Sequence, residues 1–282
     1  SSISTSGLRI LSKTASYTFN GTEAQVTGAQ LPDTVVNLNL NNAAGVSLSG
    51  NVVINGRLDL KNGSLNLNGH LLAYGPQGSL RYSGSTAQTT TEAEFPSVGG
   101  PKDLLIGNAN GVTLHASRSI EGNLELMGKL RIGVNTFTAA STTNQSTYRF
   151  VVTTDGGIFR LISVGSTQKL FPVGTTAYAP VSITNNGTAD TIGVSVVADA
   201  TPAAEGGRVN VRWEISESTI GDGDYTLQFG WMPVLEDATL KADRLNQAKI
   251  FEMTDTTEAG SGAYTTQLTS PPYYVARGGI SN

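Results

Sequence analysis

The sequence predicts an all-β protein in which a short β-solenoid, built from two copies of about 65 residues, precedes an antiparallel β-sandwich. Three observations carry this reading. Residues 37–67, NLNLNNAAGVSLSGNVVINGRLDLKNGSLNL, alternate apolar with polar positions and are broken every few residues by Gly and Asn corners. That pattern has a second copy downstream. Beyond residue 148 the strands lengthen and are spaced by Gly/Asn turns, the pattern of an antiparallel sandwich.

Taken in order, residues 1–16 are Ser/Thr-rich around Leu8, Ile10 and Leu11. They read as a leading strand or cap, or as a strand lent to a neighbouring subunit. The duplicated solenoid follows over residues 17–147, with copies at 17–79 and 80–147. Phe19-Asn20-Gly21-Thr22-Glu23-Ala24-Gln25 matches Tyr82-Ser83-Gly84-Ser85-Thr86-Ala87-Gln88. Asn42-Ala43-Ala44-Gly45-Val46-Ser47-Leu48 matches Asn108-Ala109-Asn110-Gly111-Val112-Thr113-Leu114. Gly56, Leu58 and Leu60 match Gly122, Leu124 and Leu126, and Gly63, Leu65 and Leu67 match Gly128, Leu130 and Ile132. Strands this short do not stand alone, so each copy is expected to coil through about three turns of about 20 residues that stack on one another. Leu, Val and Ile then form internal columns, and Gly and Asn take corners that need unusual backbone angles. Residues 86–102 read as a loop.

Residues 148–282 form the expected sandwich. Strands are placed at 148–152, 157–164, 179–185, 191–198, 208–216, 225–232, 249–253 and 264–268, with an apolar junction at 169–174. Turns are expected at 185–187, 221–224 and 260–262. One helix-like stretch, 235–248, places Leu235, Ala238, Ala242 and Leu245 at helical spacing.

Composition narrows the function classes. Charged residues are only 14% of the chain and the net charge is −4 without blocks of one sign, so there is no electrostatic footprint for nucleic acid. With no cysteine there is no disulfide, thiolate nucleophile or Cys-based metal site. No apolar run is long enough to span a membrane as a helix. A polar surface made from Ser, Thr, Asn and Gly suits a secreted β-protein, and a chain beginning at Ser1 fits removal of an export signal.

A solenoid invites comparison with polysaccharide-cleaving enzymes, yet glycosidic cleavage needs a carboxylate pair or a base beside a metal. His70 and His115 fall at non-equivalent places in the two copies. Asp59 and Glu125 are repeat equivalents on alternating strands, which makes them outward-facing surface positions. No catalytic residue, cofactor or metal is therefore assigned. Asp222 and Asp224 are candidate calcium ligands, weighed against a plain turn. Trp213, Trp231, Tyr225 and Phe229 suit a core better than a sugar platform. Tyr273 and Tyr274, after Pro271-Pro272, are expected to be exposed and are candidate contact residues.

The paired motifs F-N-G-T-E-A-Q…N-A-A-G-V-S-L and Y-S-G-S-T-A-Q…N-A-N-G-V-T-L resemble the repeat of large secreted surface proteins of Bacteroidota. Residues 171–190 (FPVGTTAYAPVSITNNGTAD) and the V-R-W-E-I-S-E run at 211–217 resemble the module that follows those repeats. The resemblance spans residue 17 to about residue 279. It implies export, often by the type IX route with a sorting domain removed on secretion, and it carries no catalytic residues. The expectation is a non-enzymatic, extracellular structural or adhesive subunit that associates with itself, by strand addition through Leu8, Ile10 and Leu11 or at a solenoid end. The alternative is a glycan-binding surface module.

Overall fold

The computed structural model describes residues 10–199, 207–247 and 263–280. Leu8, the strand expected at 249–253 and the turn at 260–262 lie outside the described residues. The chain is an all-β solenoid followed by antiparallel sheets, and it forms two units, Ser1–Lys129 and Leu130–Asn282.

In the first unit the strands Ser16–Phe19, Thr34–Asn41, Val52–Asn62, Ser79–Tyr82, Asp103–Ile106 and Asn123–Leu126 pair in parallel, each with the next. The register stacks like on like. Tyr17, Leu38, Leu58, Leu80, Leu104 and Leu124 form one inward column, and Phe19, Leu40, Leu60, Tyr82, Ile106 and Leu126 form the other. One turn takes 20 residues from Leu38 to Leu58 and 24 from Leu80 to Leu104. Because side chains alternate across a strand, the positions between the apolar columns point outward. Thr18, Asn39, Asp59, Arg81, Leu105 and Glu125 form an outward column, so the repeat-equivalent carboxylates do lie on the outer face.

The duplicated motif is a corner clasp made twice. In the first copy the Gln25 side-chain oxygen accepts the Gly21 N–H at 2.8 Å, and Asn42 donates to Gln25 and to the Glu23 carbonyl. In the second, Gln88 accepts from Gly84 at 2.9 Å, and Asn108 donates to Gln88 and to the Thr86 carbonyl. Asn42 and Asn108 are fully buried, and each also accepts the N–H two residues on. A buried amide survives when its donors and acceptor are satisfied, and here they tie neighbouring turns together. The G-V-[ST]-L glycines, Gly45 and Gly111, share φ +89°, and the matched glycines Gly63 and Gly128 pass so close to Asn42 and Asn108 that a Cβ would overlap the Asn carbonyl.

In the second unit parallel pairing runs further than residue 147. Leu130–Arg131 pairs with Val151–Val152, which pairs with Val173–Gly174, and Thr136–Ala139 pairs with Ile158–Val164. Phe137 stacks on Phe159 at 6.2 Å, and Phe159 meets Phe171 edge-on at 6.1 Å. The Ile158–Val164 strand is the switch, parallel to its neighbour on one edge and antiparallel to Asp190–Ala198 on the other. Val211–Glu217 extends that sheet. The second sheet runs Lys169–Phe171, Val181–Asn185, Tyr225–Trp231, Tyr273–Ile280 and Thr265–Gln267, all antiparallel. Trp213 of the first sheet meets Phe229 of the second at 5.0 Å and donates its indole N–H to the Ala179 carbonyl.

Helix α1 spans Ala238–Gln247, after a single 3-10 turn at Pro233–Leu235. Its docked residues differ from the expected stripe. Leu240 is buried, whereas Ala238, Ala242 and Leu245 face solvent. The helix starts on Asp237, whose carboxylate accepts the Leu240 N–H, and its first turn rests on Gly207, so the face toward the sheet is set by Leu240 and Arg244.

Candidate functional site

The first candidate is the strand that begins the stack. Tyr17 and Phe19 occupy the two inward columns but are only half-buried, whereas their second-copy counterparts Leu80 and Tyr82 are closed off. Among the described residues no strand pairs with the outer edge of Ser16–Phe19. The chain turns into this strand through Ser12–Ala15, with the Tyr17 hydroxyl donating to the Ser12 carbonyl and Lys13 paired with Asp33. Just ahead of that turn Ile10 is 87% exposed and Leu11 36%. Nearby, Val26 is 62% exposed on the short Gln25–Val26 strand, which starts a second parallel ladder with Val46 and Leu65.

The densest polar cluster was not singled out from the sequence. It lies on the 86–102 loop, in the turn that is longest because the repeat offset grows from 63 at Gln88 to 66 at Asn108. Those three additional residues make room for Glu92, Glu94 and Phe95, and the growing offset is the sequence signal that locates them. Glu94 is 3% exposed; it accepts from the Tyr82 hydroxyl at 2.8 Å and from the Thr91 N–H and hydroxyl. Its backbone carbonyl takes the Tyr74 hydroxyl. Burial, and then the neighbouring Glu94 charge, push both tyrosines well above the ordinary phenol range. Arg118, also buried, donates to the Phe95 and Ser117 carbonyls and to the Glu92 carboxylate. Glu92 sits below its usual range because it accepts the Ser97 N–H, which with the Arg118 charge outweighs desolvation.

His115 completes the cluster and superficially suggests a Thr–His–Glu relay. The bonding says otherwise. Arginine can only donate, so Arg118 Nη2 at 2.6 Å makes His115 Nε2 an acceptor and leaves the imidazole proton on Nδ1, donated to Thr90 Oγ1 at 2.5 Å. The His115 backbone N–H donates to the same hydroxyl, which is 1% exposed. Thr90 is thus a closed acceptor, and the group is a fastening for the loop. The first copy makes the same contact with Ser49 donating its N–H to Thr27 Oγ1, so His115 stands at a corner position.

The other sequence candidates are placed as follows. Tyr273 is not exposed. It is 9% accessible, packs edge-on against Trp231 at 6.1 Å and carries the Arg244 guanidinium 3.9 Å above its ring. Tyr274 is half-buried across Gly230. Tyr273 and Tyr274, expected to be exposed after Pro271-Pro272, instead begin Tyr273–Ile280, an interior strand of the second sheet. The glycan reading therefore loses its exposed aromatic pair. Trp231, Tyr225 and Phe229 are buried as a core, and desolvation pushes Tyr225 up to about 12. Asp222, at φ +60°, and Asp224 use their backbone carbonyls to accept the Thr188 and Asn186 N–H groups, which is turn chemistry. Among the described residues no three His, Cys, Asp or Glu side chains are grouped to hold a metal ion.

On the outer face of the first unit, Arg57, Arg81, Leu105, Gly107, Glu125 and Met127 border a shallow cavity of about 270 Å³. It is built on the outward column described above, and nothing in the sequence spacing alone pointed to it.

Comparisons with protein-family models, curated proteins and solved structures give no match to this chain.

Proposed function

We propose that the protein is a non-enzymatic, secreted structural subunit that joins a second copy of itself at the start of its solenoid. The observation that carries this reading is the Ser16–Phe19 strand, whose outer edge has no partner among the described residues and whose apolar columns are half open. An unpaired edge is a template for another strand, and natural proteins usually blunt such edges with charge, proline or a bulge. Ser16–Phe19 carries none of these. The preceding Ile10 and Leu11 supply exposed apolar side chains of the kind an added strand inserts into a neighbour. The polar clusters at Glu94, Arg118 and Asn108 support the same reading, because their bonding capacity is spent on holding corners and loops.

Sedimentation velocity and negative-stain microscopy test this. The full chain should assemble as concentration rises. A chain lacking residues 1–11, and separately the double change Ile10→Lys with Leu11→Lys, should fold and stay monomeric. A full chain that remains monomeric at high concentration, or variants that assemble unchanged, would overturn it.

A further inference from the structure

The cavity on the outer face of the first unit brings two arginines together with Leu105, Met127 and Glu125. Arg57 forms no ion pair among the described residues, and its Nε is shielded from solvent without an acceptor. Arg57 lines the cavity without a described carboxylate to neutralise it, and an unpaired guanidinium favours an anionic ligand there. Arg81 is held in place beside it. Its Nη1 lies 3.7 Å from Asp59, whose other oxygen takes the Ser83 hydroxyl at 2.5 Å. Gly107 lets the guanidinium lie against the backbone, since a Cβ there would come within 3.0 Å of Arg81 Nε. Two arginines on adjacent turns line the cavity, one of them without an ion pair among the described residues, and guanidinium groups are good partners for an oxyanion.

The opposite end of the cavity differs. Arg81, Leu105 and Glu125 are successive residues of one outward column, so Glu125 lies two turns, roughly 10 Å, from Arg81. Leu105 and Met127 supply apolar surface, and Met127 is 45% exposed. A carboxylate at this end disfavours a ligand that is anionic throughout, such as a polyphosphate, and suits one that donates hydroxyls. A volume just below the roughly 300–1,000 Å³ of small-ligand sites limits the bound group to about one ring.

We propose that this cavity binds one residue of an acidic saccharide, with its carboxylate or sulfate ester on Arg57 and Arg81, its apolar ring face over Leu105 and Met127, and a hydroxyl on Glu125. The site is distinct from the Ser16–Phe19 edge and stands or falls independently of self-association. Calorimetric titration of the full chain with a galacturonate trimer, a sulfated galactose oligosaccharide and a neutral galactose oligosaccharide tests it. Binding is expected for an acidic ligand and not for the neutral one. The galacturonate and sulfate arms identify which oxyanion is preferred, and either supports the site. Arg57→Gln and Arg81→Gln should each weaken binding about tenfold or more with the thermal transition retained, and Glu125→Gln should not weaken capture of the anion. Equal binding of the neutral sugar, no heat from either acidic ligand at millimolar concentration, or affinity indifferent to both arginine changes would overturn the proposal.

Discussion

At the scale of single residues, stability concentrates in a few buried polar contacts and a few glycines. Gly63 has φ +78° and lies against the Asn42 carbonyl, while Gly28 has φ +80° and open space where a Cβ would go. The left-handed backbone alone costs a non-glycine residue roughly 1–2 kcal/mol. Gly28→Ala should cost about that much, and Gly63→Ala more than about 3 kcal/mol because overlap adds to it. Urea denaturation of the two variants separates the contributions, and equal losses would show that Asn42 yields easily. Glu236 offers a pH test. Burial alone would raise its carboxyl, but two Arg244 bonds at 2.5 and 2.6 Å and the Trp231 N–H hold it below the ordinary value of 4.5. A carboxyl depressed on folding adds stability that is present above that ordinary value and lost as pH falls through the folded one. Thermal melting from pH 6 to pH 3 should therefore drop more steeply in the natural protein than in Glu236→Gln. The variant should lose about 2 kcal/mol at neutral pH.

At the scale of elements, the 86–102 loop and the Tyr273–Ile280 strand show what local sequence conveys. The loop was legible as a loop from Pro96, Gly99, Gly100 and Pro101, but its interior was not. Glu94 is buried because Tyr74, 20 residues earlier on the preceding turn, and Tyr82, 12 residues earlier, both bond to it, and Arg118 fastens the next residue, Phe95, from 23 residues later. Arg118→Ala should leave the solenoid folded and open the loop. Limited proteolysis should then cut within residues 91–101 at least tenfold faster than in the natural chain, with the melting transition lowered by only a few degrees. Unchanged cleavage would place the loop's restraint elsewhere. The C-terminal strand was hidden for the opposite reason, since Pro271-Pro272 and Gly278-Gly279 are turn residues by local preference. Pairing with Tyr225–Trp231 on one side and Thr265–Gln267 on the other overrides that preference. Helix α1 lies between the two cases. Its existence was legible and its docking face was not, because Leu240 meets Gly207 and Arg244 meets Tyr273, both distant in the chain.

At the scale of the whole molecule, the proposed roles sit where the architecture leaves an edge or a surface open. The Ser16–Phe19 edge leaves strand pairing open, and the cavity beside Arg57 and Arg81 leaves room for a ligand. If the edge joins copies, sedimentation of the natural chain should shift with concentration while Ile10→Lys with Leu11→Lys removes the shift. A solenoid whose turns contact mainly their neighbours tolerates extension at an end without disturbing the remainder, so such growth needs no rearrangement elsewhere.

The solenoid stretch at 37–67, its second copy, the inward Leu and Val columns and the antiparallel strands Val181–Asn185, Asp190–Ala198, Val211–Glu217 and Tyr225–Trp231 were determined by the sequence itself. Alternation at period two and repetition are local properties that survive without knowledge of partners. The tertiary structure alone decided where parallel pairing gives way to antiparallel pairing, that Tyr273 is interior, and that Glu92, His115 and Arg118 meet. It also decided that Arg57 and Arg81 share a cavity. Each of these depends on register between turns about 20 residues or more apart, or on sheet pairing between distant strands, and a single sequence does not encode such neighbours by spacing.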